Sequence, residues 1–171
     1  MTKKERYTEW LQNGEIKKFN RYRRWLWYHG VNNIDLYKVN FHNSDLRDVD
    51  FHKANLSGAV LRGADLCGAD LRFAYLYGAD LRDAGLQGAY LNGANSGGAN
   101  LQGADLDYSC LPLYCGSFDM KIDKRIFTQI AYHLCRFKVN DSECVELQKI
   151  MAKLANKSHI IKEHGCKKIE E

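Results

Sequence analysis

Through the middle of this chain a bulky apolar residue returns at every fifth position. Leu or Phe stands at 36, 41, 46, 51 and onward to 111, and Ser96 alone breaks the sixteen slots. A second column of small or apolar residues runs two positions earlier: Ile34, Val39, Ser44 and Val49, then Ala at every fifth position from Ala54 to Ala104, then Ser109. Side chains two apart share one face of extended backbone. A helix would repeat about every 3.6 residues and a long strand would keep alternating. A period of five does neither, so the chain must turn after each short extended piece. The slot two after the bulky residue supplies the means, since Gly58, Gly63, Gly68, Gly78, Gly88, Gly93, Gly98 and Gly103 occupy it, eight of the fourteen glycines. Glycine at a fixed turn slot predicts positive φ, as in a type II turn.

Units that bury only two apolar side chains each must stack to be stable. The stretch ANLSGAVLRGADLCGADLRFAYLYGADL, residues 54–81, resembles the pentapeptide-repeat family with its consensus A(D/N)LxX. The resemblance covers about residues 34–113 and implies a mainly β fold. That fold is a right-handed quadrilateral β-helix, here four coils of four pentapeptides, with an α-helical N-terminal cap and a C-terminal helical hairpin. The Leu and the small residue before it face inward. The core so implied comprises Leu56, Leu61, Leu66, Leu71, Leu76 and Leu81, continued by Leu86, Leu91, Leu101 and Leu106. At roughly 4.8 Å per layer the coils make a stub about 19 Å tall.

The same register sorts the remaining positions. Asp and Asn between the columns, such as Asp65, Asp70 and Asp80, can satisfy turn amides locally. His42, Arg62, Arg82 and Gln102 form one outward stack, in which Asp80 and Asp83 must offset the neighbouring cations. Cys67 also faces outward and is expected to alkylate readily. Tyr75 and Tyr77 point outward, with Phe73 at the corner before them and Tyr90 nearby. Large exposed aromatics favour interfaces, so these four form the candidate interaction surface, bordering a candidate notch of Asn95, Ser96, Gly97 and Gly98. Cover of the four aromatics by the C-terminal helices or a second subunit is the competing expectation.

An open solenoid exposes its axis at both ends and needs caps. Residues 1–33 place Tyr7, Trp10, Leu11, Ile16, Phe19, Arg23 and Leu26 near helical spacing, with Gly14 between two runs and Gly30 after them. They are expected to cap the first coil. Beyond the array, residues 114–171 form a C-terminal helical segment for capping or dimerisation. Within it 119–156 read as a helical hairpin, with Asp123 as an N-cap and Ile126, Phe127 and Ile130 on an apolar face. Pairing with a second copy through 119–156 is the expected route to a homodimer.

Charge is uneven. Residues 1–33 carry eight Lys/Arg against three acids, residues 34–113 six against ten, and residues 114–171 eleven against eight, giving +5, −4 and +3 and the total of +4. The first residues, MTKKERYTEW, lack the apolar run of a secretory signal and no segment approaches the length of a transmembrane helix, so a soluble, non-exported protein is expected. The six cysteines lack CxxC spacing, so a reduced cytoplasmic protein is expected. Cys110 and Cys115 with His133 or His159 lack metal-ligand spacing, and neither metal nor cofactor is expected.

No nucleophile elbow, phosphate loop, dinucleotide fingerprint or HExxH occurs, and a filled axis offers no concave catalytic site. The expectation is a non-enzymatic scaffold that binds a protein partner. Two alternatives are carried. Some family members mimic duplex DNA and occupy type II topoisomerases, yet B-DNA carries one charge per roughly 1.7 Å against a net −4 here. The basic aromatic N-terminal segment has the composition of a single-strand nucleic-acid binder, which an amphipathic cap also explains. Ice binding by threonine ladders is discarded, because the only threonines are Thr2, Thr8 and Thr128.

Overall fold

Each apolar pair is followed by a closed four-residue turn. In the first, the Val39 N–H donates to the Leu36 carbonyl at 3.1 Å, and the same bond recurs every five residues up to Ser109 and Leu106. The third turn position has positive φ at all fifteen slots from Lys38 to Tyr108, glycine or not. The Asp or Asn before the bulky residue braces the turn, its side-chain oxygen accepting the N–H two residues on. Tyr37 with Asp35, Cys67 with Asp65 and Arg82 with Asp80 are examples, at 3.0, 3.1 and 3.2 Å.

The computed structural model describes residues 1–110 and 120–124, together with Ile126, Phe127, Ile130, Lys149 and Ala152. Between coils the pairing is parallel and one residue wide. Asp35 bridges Asn55, Asn40 bridges Val60, Asp45 bridges Asp65 and Asp50 bridges Asp70, each twenty residues on. Four bridges per turn define four sides. The Asn55 N–H donates to the Ile34 carbonyl and the Leu36 N–H to the Asn55 carbonyl, both at 2.8 Å. The ladder reaches past residue 113, because Lys121 bridges Asn100 across twenty-one residues rather than twenty.

Inside the coils the ten predicted core leucines are all buried, and so are the alanines beside them. The first coil fills its axis with Phe41 and Phe51, stacked at 6.2 Å. Helix α1 (Lys3–Gln12) and helix α2 (Ile16–Tyr28) precede it. Thr2 and Glu5 form a reciprocal capping box on α1, and Gly14 and Gly30 end the two runs with φ of 72° and 78°. From α2, Phe19 meets Phe51 edge-on at 5.9 Å, closing the apolar axis.

Polar side chains close the coil's open edge. The Asn20 amide donates to the Asp48 carbonyl at 2.8 Å and accepts from the Asp50 N–H at 2.9 Å. In that way it stands in for a strand of a preceding coil. Gln12 donates to the Asn40 carbonyl at 3.0 Å, and Lys4 to that of Tyr37. Arg23, only 3% exposed, donates to the carbonyls of Asp50 and His52 at 3.3 and 2.5 Å.

The chain forms two compact units, Met1–Lys121 and Ile122–Glu171. In the second, Asp123 caps a helical turn, its carboxylate accepting from the Ile126 N–H at 3.0 Å and its carbonyl from that of Phe127 at 3.0 Å. Ile126 is buried while Phe127 is exposed, since neighbours on a helix stand about 100° apart and do not share one apolar stripe. Apart from Ile130, Lys149 and Ala152, the remainder of the 119–156 hairpin lies outside the described residues, His133 included, and so do Cys115 and His159. Among the described residues no helix is long and apolar enough to cross a membrane.

Candidate functional site

The third turn position explains how an aromatic comes to stand at a corner. Phe73 holds φ of 57°, a conformation that costs a bulky residue about 1–2 kcal/mol. Its ring leans over the turn of the next coil, where a Cβ on Gly93 would lie 2.5 Å from the ring. The same relation links Lys38 to Gly58, Asn43 to Gly63, Asp48 to Gly68 and Asp83 to Gly103. At these five corners the side chain lies over a glycine one coil later, and Lys53, followed one coil later by Phe73, is the exception.

Phe73, Tyr75, Tyr77 and Tyr90 are 53%, 54%, 65% and 51% exposed. Tyr75 occupies a bridging slot, pairing with Asn55 below and Asn95 above, so its backbone is held from both sides while its ring projects. Tyr77 follows two residues later on the same face, and its carbonyl accepts from the Gly58 N–H at 2.8 Å. Neither phenol hydroxyl has a hydrogen-bond partner among the described residues. One coil on, Ser96 and Gly97 are buried and Asn95 and Gly98 half-buried. The Asn95 side chain braces the turn by accepting from the Gly97 N–H at 3.2 Å.

Beside this face runs a cleft of about 270 Å³. Its helical wall is Arg23, Arg24 and Trp27 of α2; its coil wall is Asp50, His52, Asp70 and Arg72. The His52 ring meets Phe73 edge-on at 5.8 Å, and the Arg72 guanidinium lies 5.9 Å from the Tyr90 ring centre. Cleft and aromatics are therefore contiguous. Arg72 forks onto Asp70 through Nε and Nη2, at 2.8 and 2.6 Å. Burial pulls the Asp70 carboxyl up, and the bonds from Arg72 outweigh it, leaving it below its ordinary value. Among the described residues Arg23 Nη1 is buried with no hydrogen-bond partner, and burial lowers the pKa of that guanidinium against the opposing pull of Asp50.

A model of pentapeptide repeats matches eight copies over residues 44–83 and 79–112. The coiled array belongs to the pentapeptide-repeat family. Among solved structures, a pentapeptide repeat protein from the thylakoid lumen of Arabidopsis thaliana is 26% identical with a TM-score of 0.51. The match covers 75% of this chain and 82% of that one. A pentapeptide repeat protein of the cyanobacterium Cyanothece is 35% identical over 54% of this chain, which spans 57% of its length, with a TM-score of 0.43. One from Nostoc is 29% identical over 57% of this chain and 92% of that one, at 0.47. No curated protein matches the chain.

The pentapeptide register also settles the outward charges. Arg82 forks onto Asp80 at 2.8 and 2.6 Å, and Arg62 reaches Asp83 at 3.3 Å, so each cation of that column has an acid beside it. Arg47 contacts Asp45 and Asp65 at 2.6 and 3.5 Å. Cys67 corrects an expectation. It sits on the outer side of its coil, but it is half-buried and its thiol donates to Gln87 Oε1 at 2.7 Å. Burial, followed by the neighbouring Asp65 carboxylate, pushes its pKa up to about 11. The pentapeptide register had no means of revealing the cleft, whose two walls come from segments far apart in sequence. One signal pointed there: a charge, Arg23, lying in the apolar stripe between Phe19 and Leu26.

Proposed function

We propose that this protein is a non-enzymatic scaffold whose pentapeptide array holds Phe73, Tyr75, Tyr77 and Tyr90 outward for a protein partner. One observation carries the reading. Three large rings project from the alternate positions 73, 75 and 77, where Tyr75 is bridged on both sides, the Phe73 N–H donates to the Asn92 carbonyl and the Tyr77 carbonyl accepts from the Gly58 N–H, and neither tyrosine hydroxyl has a partner among the described residues. Immobilised aromatics lose little conformational freedom on docking, which is why they dominate interface energetics. Six of the ten acids in residues 34–113 are engaged by arginine instead: Asp45, Asp50, Asp65, Asp70, Asp80 and Asp83. That pattern favours a contact surface over a polyanionic one.

The test pairs stability with capture. A Tyr75→Ser, Tyr77→Ser double variant should keep its melting temperature, because the removed rings are mostly solvated, yet fail to retain the partner that the full chain co-purifies. A lowered melting temperature with the partner still bound would assign the rings to internal packing.

A further inference from the structure

The cleft beside the aromatic face carries three guanidinium groups and two carboxylates, an excess of one positive charge among its arginines and aspartates. Asp70 is spent on Arg72, while Asp50 stands 4.0 Å from Arg23. Arg24 is exposed and has no ion-pair partner among the described residues. Arg23 is the buried member of the lining, its Nη1 without a hydrogen-bond partner among the described residues. A buried cationic donor without a partner is rare in native structures, where such groups are paired or coordinate a ligand. Trp27, two-thirds exposed, gives the rim an apolar wall.

We infer that the protein docking on the aromatic face inserts one carboxylate, an Asp or Glu side chain flanked by apolar residues, between Arg24 and Arg72 against Trp27. This rests on the interaction surface proposed above. One carboxylate neutralises the excess charge: the Arg24 guanidinium, without an ion pair among the described residues, offers it paired N–H donors, while Arg72, whose Nε and Nη2 are held by Asp70, adds its charge and its remaining donors beside it. A polyanion fits less well, because Asp50 and Asp70 line the same cleft and would oppose successive phosphates. The apolar neighbours of the acid fall on Phe73 and Tyr90, which contact the cleft residues His52 and Arg72.

Selection of displayed random-sequence short peptides on the immobilised full chain tests this. Enriched peptides are expected to share one Asp or Glu beside apolar residues. Changing that acid to its amide, or Arg24→Gln in the protein with its melting temperature unchanged, should weaken binding about tenfold or more, as loss of a charge-assisted bond does. Enriched peptides that lack an acid, or that bind Arg24→Gln undiminished, overturn the inference, and so does a selection that enriches nothing. Displacement of the peptides by oligouridylate with a steep salt dependence overturns it in favour of a nucleic acid. The Tyr75→Ser, Tyr77→Ser variant separates the two readings. Peptides that need the tyrosines but not the acid defeat the carboxylate alone, whereas peptides indifferent to the tyrosines defeat the surface as well.

Discussion

A single side chain in a turn shapes the turn one coil above it. Phe73 and Gly93 stand twenty residues apart and share one corner, with the ring where a Cβ on Gly93 would lie. Gly93→Ala is expected to cost about 2–4 kcal/mol, combining the strain of φ at 71° with the clash. Combined with Phe73→Gly, the clash disappears and only the backbone strain is left, so the double-mutant cycle should show coupling above about 1 kcal/mol. Additive losses in chemical denaturation would refute the packing rule. Cys67 offers a second residue-scale test. With its pKa near 11, its thiolate near pH 8 is roughly two orders of magnitude scarcer than that of an ordinary cysteine. Mass spectrometry should therefore find iodoacetamide on the exposed Cys110 long before Cys67, with the Cys67 rate climbing until about pH 11. Equal rates at pH 8 would mean that the thiol is not held.

At the scale of elements, α2 works as an imitation strand. Asn20 presents one donor and one acceptor to a coil edge that has no neighbour, and Arg23 covers two more carbonyls. Asn20→Ala leaves a ladder N–H and a carbonyl unbonded in a half-buried site, so a loss of about 1–3 kcal/mol is expected. Asn20→Asp keeps the acceptor for the Asp50 N–H but loses the donor to Asp48, and it should fall between. Urea titration orders the three proteins; an Ala variant as stable as the parent would mean that water replaces the amide at no cost. The helix itself was legible, because its apolar positions repeat and glycines bound it. The hydrogen bonds of Asn20 were not, since nothing in a helical pattern says which polar residue meets a carbonyl from a segment thirty residues on.

For the whole molecule, stability should follow the arginine-held acids. Hydrogen bonds from Arg47 hold Asp45 down to about 2, and Arg82 likewise keeps Asp80 below its ordinary value. Groups depressed by folding contribute stability that is complete above their unfolded pKa, about 3.9, and is lost as pH falls through the folded values. The melting temperature should be level at mild acidity and then decline between about pH 4 and pH 2. Asp80→Asn should make that decline shallower; an unaltered acid profile would show that the pairs are too solvated to matter. The paired charges lead to another expectation at this scale. The purified protein should leave type II topoisomerase supercoiling unchanged, and inhibition abolished by Asp45→Asn with Asp65→Asn would return the duplex-mimic reading.

A period of five with two apolar columns predicted short extended pieces, stacked units and the positive φ of the turn slot, and the resemblance it revealed implied the four-sided coils, their inward leucines and hence the outward setting of Tyr75 and Tyr77. Each of these depends only on neighbours within one unit or on identical units stacked in register, so a local pattern carries it. The tertiary structure decided what depends on meeting between distant segments. It leaned Phe73 over Gly93, drew the Cys67 thiol onto Gln87, and set Arg23, Arg24 and Trp27 of α2 against Asp50, His52, Asp70 and Arg72 to make a cleft. Burial and proximity across the coils, which no single repeat contains, raised the pKa of a cysteine thiol and gave the aromatic face a cationic neighbour.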